Sequence, residues 1–297
     1  MLLRRVITAL ALLALMLPAL LAERAVVWPA VSFVFVLLAA WEWVRMLKPA
    51  RANLAALSAL AFFGLGVILA VGREPGHVSV GQALWSALVL AGCALGCLFW
   101  GLVAPWQLRT LRNNFVPAWS AVLVLASAWL AVLQLRLLGL WELLSGLALV
   151  WVADVAAYFV GRRFGRNKLA PRISPGKTRE GAFGAGFAVV ALSLAVYGFA
   201  PPHWPAVLPV RWLAELSATI PVGLAWLTWL AMLLMLVGLS ILGDLYESMI
   251  KREAGVKDSS GLLPGHGGVL DRIDALLPVL PALVLVDAWF GWLGISR

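Results

Sequence analysis

From Gly243 to Asp274 the chain gathers, in one run, the residue types that bind metals and phosphates. In "GDLYESMIKRE" Asp244, Ser248 and Lys251 stand at i, i+4 and i+7 on one helical face, with Glu247 beside them. "PGHGG" interrupts that helix, and "VLDRIDAL" restarts one with Asp271 and Asp274 at i, i+3. Two helices meeting at a glycine turn aim Asp244 and Asp271 at a common point, and paired carboxylates suit an oxygen-seeking divalent cation such as Mg²⁺. Gly265, Gly267 and Gly268 let successive backbone N–H groups face an anion, and the helix N-terminus that follows adds a favourable dipole. Lys251, Arg252, Lys257 and Arg272 bring positive charge to the same place. Carboxylates for a metal, with amides and cations for oxyanions, describe phosphoryl or nucleotidyl transfer. The plainer alternative is a Pro264-Gly265 turn among solvated charges, in which His266 is an ordinary loop histidine.

A second polar segment runs from Asp154 to Gly181, "DVAAYFVGRRFGRNKLAPRISPGKTREG". Asp154 and Tyr158 lie one helical turn apart near the end of an apolar span, where an ionisable residue is costly and marks function by default. Ser174-Pro175-Gly176-Lys177-Thr178 is like the tail of a phosphate loop but lacks its spaced glycines. Read as a cationic, hydroxyl-bearing loop facing the same surface as the first segment, it makes a nucleotide clamp.

The elements that must carry these segments are membrane helices. The chain has 297 residues, 63% hydrophobic and 12% charged, where a soluble domain holds about a quarter charged residues. Long Leu/Ala/Val runs without alternation exclude a transmembrane barrel and predict an all-α polytopic fold. Nine spans are expected, roughly at 6–22, 25–44, 53–71, 79–105, 116–134, 137–160, 181–200, 219–241 and 275–295. The first resembles a signal peptide, with Arg4 and Arg5 before its apolar run, and is expected to be retained as a helix. With the N-terminus inside, 18 of the 23 lysines and arginines fall in cytoplasmic segments. That asymmetry accounts for the net charge of +9 without invoking nucleic acid, and puts both polar segments at the cytoplasmic face; the expected location is an inner, bacterial-type membrane. Residues 1–135 hold about five spans, and 136–297 form the catalytic membrane region with motifs at 154–181 and 243–274. Cys93 and Cys97, at i, i+4 in an apolar run, read as small packing residues. Gly92 and Gly96 form a GxxxG step that allows close helix contact within one chain or in a homodimer.

"SMIKREAGVKDSSGLLPGHGGVLDRID", Ser248 to Asp274, resembles the signature of the phosphatidate cytidylyltransferases, the CDP-diacylglycerol synthases. It matches S-x-x-K-R, four residues, K-D, then a small-residue stretch into P-x-H-G-G-x-x-D-R-x-D at every fixed position. Gly243-Asp244-Leu245 with Glu247-Ser248 is similar to the family's G-D-x-x-E-S. Asp154, Ala157, Tyr158, Gly161, Gly165, Ile173-Ser174-Pro175, Lys177-Thr178 and Glu180-Gly181 are similar to its upstream block. These motifs span roughly 60 residues; the N-terminal half matches only in hydrophobicity. The resemblance implies transfer of a cytidylyl group from CTP to phosphatidic acid in the bilayer, with Mg²⁺ and a second, monovalent cation such as K⁺. It implies metal at Asp244 and Asp271, with Asp274 and Ser248 close by. It places Lys251, Arg252, Lys257, Asp258, Arg272 and the Gly267 and Gly268 amides around triphosphate or pyrophosphate. Ser174, Lys177 and Thr178 would meet nucleotide or lipid phosphate, and His266 enters on resemblance alone.

Three other classes fit less well. The Asp-Gly, Ala-Arg and spaced-Asp pattern of CDP-alcohol phosphatidyltransferases is absent. CTP-dependent lipid or polyprenol kinases lack the continuous Lys-Asp to His-Gly-Gly block. A transporter would show matching halves with interrupted helices, and no internal repeat is present.

Overall fold

A computed structural model describes residues 2–47, 50–71, 78–110, 118–199 and 207–292. The helices are α1 (Leu2–Leu21), α2 (Val27–Met46), α3 (Ala50–Val71), α4 (Val78–Leu98), α5 (Ala104–Thr110), α6 (Ala118–Leu138) and α7 (Leu140–Phe164). After a hairpin of β1 (Lys168–Ala170) and β2 (Ser174–Thr178) follow α8 (Arg179–Phe199), α9 (Val210–Thr219), α10 (Val222–Glu253), α11 (Leu270–Ile273) and α12 (Leu276–Trp292). Among the described residues six helical stretches are long and apolar enough to cross a membrane: Val27–Met46, Gln82–Thr110, Ala118–Leu138, Leu140–Phe164, Arg179–Phe199 and Val222–Glu253. Three shorter apolar helices, Val6–Leu21, Leu54–Leu69 and Leu276–Trp292, coincide with the other three expected spans. Lys48, Arg73, Arg112 and Arg297, which enter the charge asymmetry, lie outside the described residues, as do the side chains of Arg4, Arg5 and Arg51.

The core is one continuous cluster to which helices from both halves of the chain contribute, with α12 lying against α4, α6 and α10. In α6 nearly every turn is buried, as expected of a helix surrounded by other helices. The GxxxG step is used within the chain: a Cβ at Gly92 would meet Leu130, and one at Gly96 would meet Ser127, both on α6. Cys93, buried, and Cys97 are free thiols in the same seam.

Three features lie outside the expectation. A π-helical turn, Phe99–Val103, joins α4 to α5. The hairpin pairs Lys168 with Thr178 and Ala170 with Ser174, a small β element in a helical molecule. Helix α9 is short and amphipathic, burying Trp212, Leu213 and Leu216 while Arg211 pairs with Glu142, Glu215 and Asp287.

Candidate active site

The polar half of α10 is continuous with its apolar half, so the Asp244, Ser248 and Lys251 face forms as the spacing predicts. Three rings fix the roll of this helix. Tyr246, fully buried, meets Trp43, Phe99 and Trp100, and its hydroxyl hydrogen-bonds Gln107 Oε1 at 2.7 Å. Phe99 and Trp100 belong to the π-helical turn, which therefore has a part in turning Asp244 and Ser248 to the opposite side.

The two polar segments meet there. Lys177 Nζ lies 2.6 Å from Asp244 Oδ2, and Ser248 Oγ donates to Asp244 Oδ1 at 3.3 Å. Ser240 Oγ donates to Asp154 Oδ1 at 3.4 Å, tying α10 to α7 on the same side. Lys177 is held out by the hairpin, and the hairpin is closed onto α8. Thr178 Oγ1 accepts the Gly181 N–H at 3.1 Å as the N-cap of α8, and Glu180 accepts both the backbone N–H and the side-chain amide of Asn167. Thr178 is thus buried in a capping role beside Gly161, Gly165 and Gly181. A Cβ at Gly181 would stand 2.8 Å from the Ala157 carbonyl, so this glycine is what lets α7 and α8 cross so closely.

The second cation, Lys251, bridges Glu247 and Asp271, with 2.6 Å to Asp271 Oδ1. Asp271 Oδ2 accepts the Ser259 N–H at 3.0 Å and the Gly268 N–H at 2.8 Å, and the Ser259 hydroxyl oxygen lies 3.0 Å from it. Burial alone would raise the Asp271 carboxyl, but the Lys251 ammonium and the Gly268 and Ser259 amides outweigh it and hold the group below its usual range. Burial pushes the Asp274 carboxyl up, and the negative charge of Asp244 adds to that. Gly267 turns the chain at φ +82°, and a Cβ there would lie 2.7 Å from Asp271 Oδ2. A Cβ at Gly268 would collide with Ser259 Oγ and Glu42.

Glu42 is the residue that sequence reading missed. It sits on α2, fully buried, and accepts Ser259 Oγ at 2.9 Å, Ser260 Oγ, the Val269 N–H at 3.0 Å and the Leu270 N–H at 2.7 Å. The available signal was a lone acid in an apolar span, the same signal that drew attention to Asp154. Between them, Asp271 and Glu42 take the amides of Ser259, Gly268, Val269 and Leu270. The anions that this loop binds in the structure are the protein's own carboxylates.

Ser174, Arg252, Lys257, Asp258, His266 and Arg272 make no hydrogen bond or ion pair with these carboxylates among the described residues. Arg252, Lys257, Asp258 and Arg272 are exposed, whereas His266 Nδ1 is buried without a partner. The donor set is all oxygen, the chemistry a hard cation requires, and Asp244 lies within electrostatic reach of both Asp154 and Asp274. No three His, Cys, Asp or Glu among the described residues form a ready-made cage. Asp244, about a third exposed, is the more open of the two expected ligands, and Asp271 at 6% is the more enclosed.

Residues 3–290 match the model of a family described as the cytidylyltransferase family. The chain is 36% identical to the phosphatidate cytidylyltransferase of Pseudomonas aeruginosa, over 97% of this chain and 99% of that protein. It is 33% identical to that of Haemophilus influenzae, over 95% of this chain and 96% of the relative. A stretch of 153 residues is 40% identical to the Bacillus subtilis phosphatidate cytidylyltransferase, covering 52% of this chain and 49% of that one.

Proposed function

The chain belongs to the cytidylyltransferase family, and we propose that its reaction is transfer of a cytidylyl group from CTP to phosphatidic acid, giving CDP-diacylglycerol and pyrophosphate. It is a membrane-embedded nucleotidyltransferase of phospholipid synthesis. The observation that carries the reading is the Lys177–Asp244 pair, because it joins the two motif blocks into one site.

An oxygen of the lipid phosphate attacks the α-phosphorus of CTP, the new P–O bond forms, and the bond to the β-phosphate oxygen breaks, releasing pyrophosphate. That oxygen is already anionic, so the protein's task is alignment and charge neutralisation rather than proton removal. Lys177 and Lys251 are the cations nearest the carboxylates and neutralise triphosphate or departing pyrophosphate. Arg252, Lys257 and Arg272, exposed near them in sequence, extend that positive field to anions arriving from water. Ser248 orients Asp244, and Thr178 fixes the strand that bears Lys177. Mg²⁺, held by Asp244 and Asp271 with Asp274 adjoining, would supply further neutralisation of the triphosphate; a monovalent cation such as K⁺ is the second expected ion. In this reading nine spans with a cytoplasmic N-terminus would put the site at the inner face of the membrane, on the side of the CTP pool. The ends of α2, α7 and α10 and the start of α8 meet on one side, as the alternation of spans requires. A homodimer would need a face other than Gly92 and Gly96, which α6 occupies.

The test is an assay of purified protein with CTP, phosphatidic acid and Mg²⁺, following CDP-lipid and pyrophosphate. Folded protein that forms no CDP-lipid would sink the reading.

A further inference from the structure

Glu42 lies on the second helix of the chain, away from both motif blocks, yet among the described residues its side-chain hydrogen bonds run to the Ser259–Leu270 segment that leads into Asp271. We propose that Glu42 is a positioning residue for the transfer reaction, acting through Ser259 and the Val269–Leu270 turn to hold Asp271 in place. This rests on the cytidylyl-transfer reading above.

The geometry is specific. Oε1 takes Ser260 Oγ and Val269 N; Oε2 takes Ser259 Oγ and Leu270 N. Four donors on two oxygens use the full acceptor capacity of a carboxylate. The two amides open α11, and Asp271 is the residue directly after Leu270. Ser259 spans the two carboxylates: its hydroxyl lies 2.9 Å from Glu42 Oε2 and 3.0 Å from Asp271 Oδ2, while its backbone N–H serves Asp271. Moving Glu42 therefore moves both the residue before Asp271 and the residue that hydrogen-bonds it. A group that served only to bury α2 would not need an acid. An ionisable side chain at 0% exposure is expensive unless it is fully bonded, as here.

Glu42→Gln is the direct probe. An amide replaces one oxygen, so a backbone N–H of α11 faces another donor, while shape is kept. With folded protein checked by size exclusion, we expect kcat per folded molecule to fall on the order of 10²-fold, the scale of a misplaced reacting geometry. The KM for phosphatidic acid should stay unchanged. A structural tie alone would lower the yield of folded protein and leave its kcat intact, which would overturn the proposal. Ser259→Ala should be strongly non-additive with Glu42→Gln, because both cut one link; losses that simply multiply would overturn it too. If Glu42→Gln does not fold, Ser260→Ala decides, since Ser260 touches Glu42 and not Asp271. A several-fold fall in kcat is expected, and unchanged kinetics overturn the proposal. The unaltered enzyme, assayed first, separates the two claims. No CDP-lipid from it defeats the reaction assigned above, whereas an active enzyme with indifferent variants defeats only the role of Glu42.

Discussion

Lys251 is the side chain on which the second carboxylate pair depends. It is 12% exposed between Glu247 at 4% and Asp271 at 6%, so removing it strands two acids in a poorly hydrated place. Lys251→Met is expected to cost about 3–5 kcal/mol, the scale for breaking a buried pair from one side. Thermal unfolding in detergent would show a clear fall, and an unchanged midpoint would refute it. Lys177 is more open, at 23%, and its pair with Asp244 adds less stability. Lys177→Met should accordingly leave unfolding nearly unchanged while lowering kcat/KM for CTP by roughly 10²-fold or more, as losing one preorganised charge does. At this scale Asp244 and Lys251 were legible because helical spacing alone puts them on one face, and Asp271 because it follows the Gly265–Gly268 turn at the restart of a helix. Glu42 was not, because its partners lie 217 to 228 positions further along and nothing local announces them.

The α7–hairpin–α8 unit delivers Lys177, and its geometry depends on how closely the two helices cross. Gly181→Leu would drive a side chain into the Ala157 carbonyl and the Thr178 cap. The expected result is loss of activity together with faster protease cleavage in the hairpin; retained activity would mean that the crossing tolerates separation. The aromatic box on α10 is a milder case. Tyr246→Phe keeps all three ring contacts and loses only the bond to Gln107, an expected cost of about 1 kcal/mol in unfolding experiments. The long apolar helices were legible from hydropathy, and the break at Pro264-Gly265 from its turn residues. Helix α9 was not, because only Trp212, Leu213 and Leu216 mark its apolar face, beside a run rich in proline. The π-helical turn has no sequence signal at all, since Phe99–Val103 reads as uninterrupted apolar helix.

Across the whole molecule the two ends differ in chemistry. Asp154, Lys177, Asp244 and Lys251 gather at one, and Arg211 with Glu142, Glu215 and Asp287 at the other. Thr8 Oγ1 hydrogen-bonds the Pro264 carbonyl at 3.0 Å, so the start of α1 lies at the catalytic end. In a background with Cys93 and Cys97 replaced by alanine, Lys257→Cys should react with a membrane-impermeant thiol reagent only from the cytoplasmic side. Arg24→Cys should react only from the other side, and the reverse pattern would invert the topology. The long-range bonds of Glu42 also set an order of events during synthesis. At about 5–20 residues per second, α2 is made roughly 10 to 45 s before the segment that satisfies it. For that interval a carboxylate near the end of a membrane helix has none of its final donors, with Arg45 one turn away. The nascent chain must therefore shelter Glu42 at the headgroup level or beside the insertion machinery, and the site closes around Asp271 only once the segment from Ser259 to Leu270 has been made.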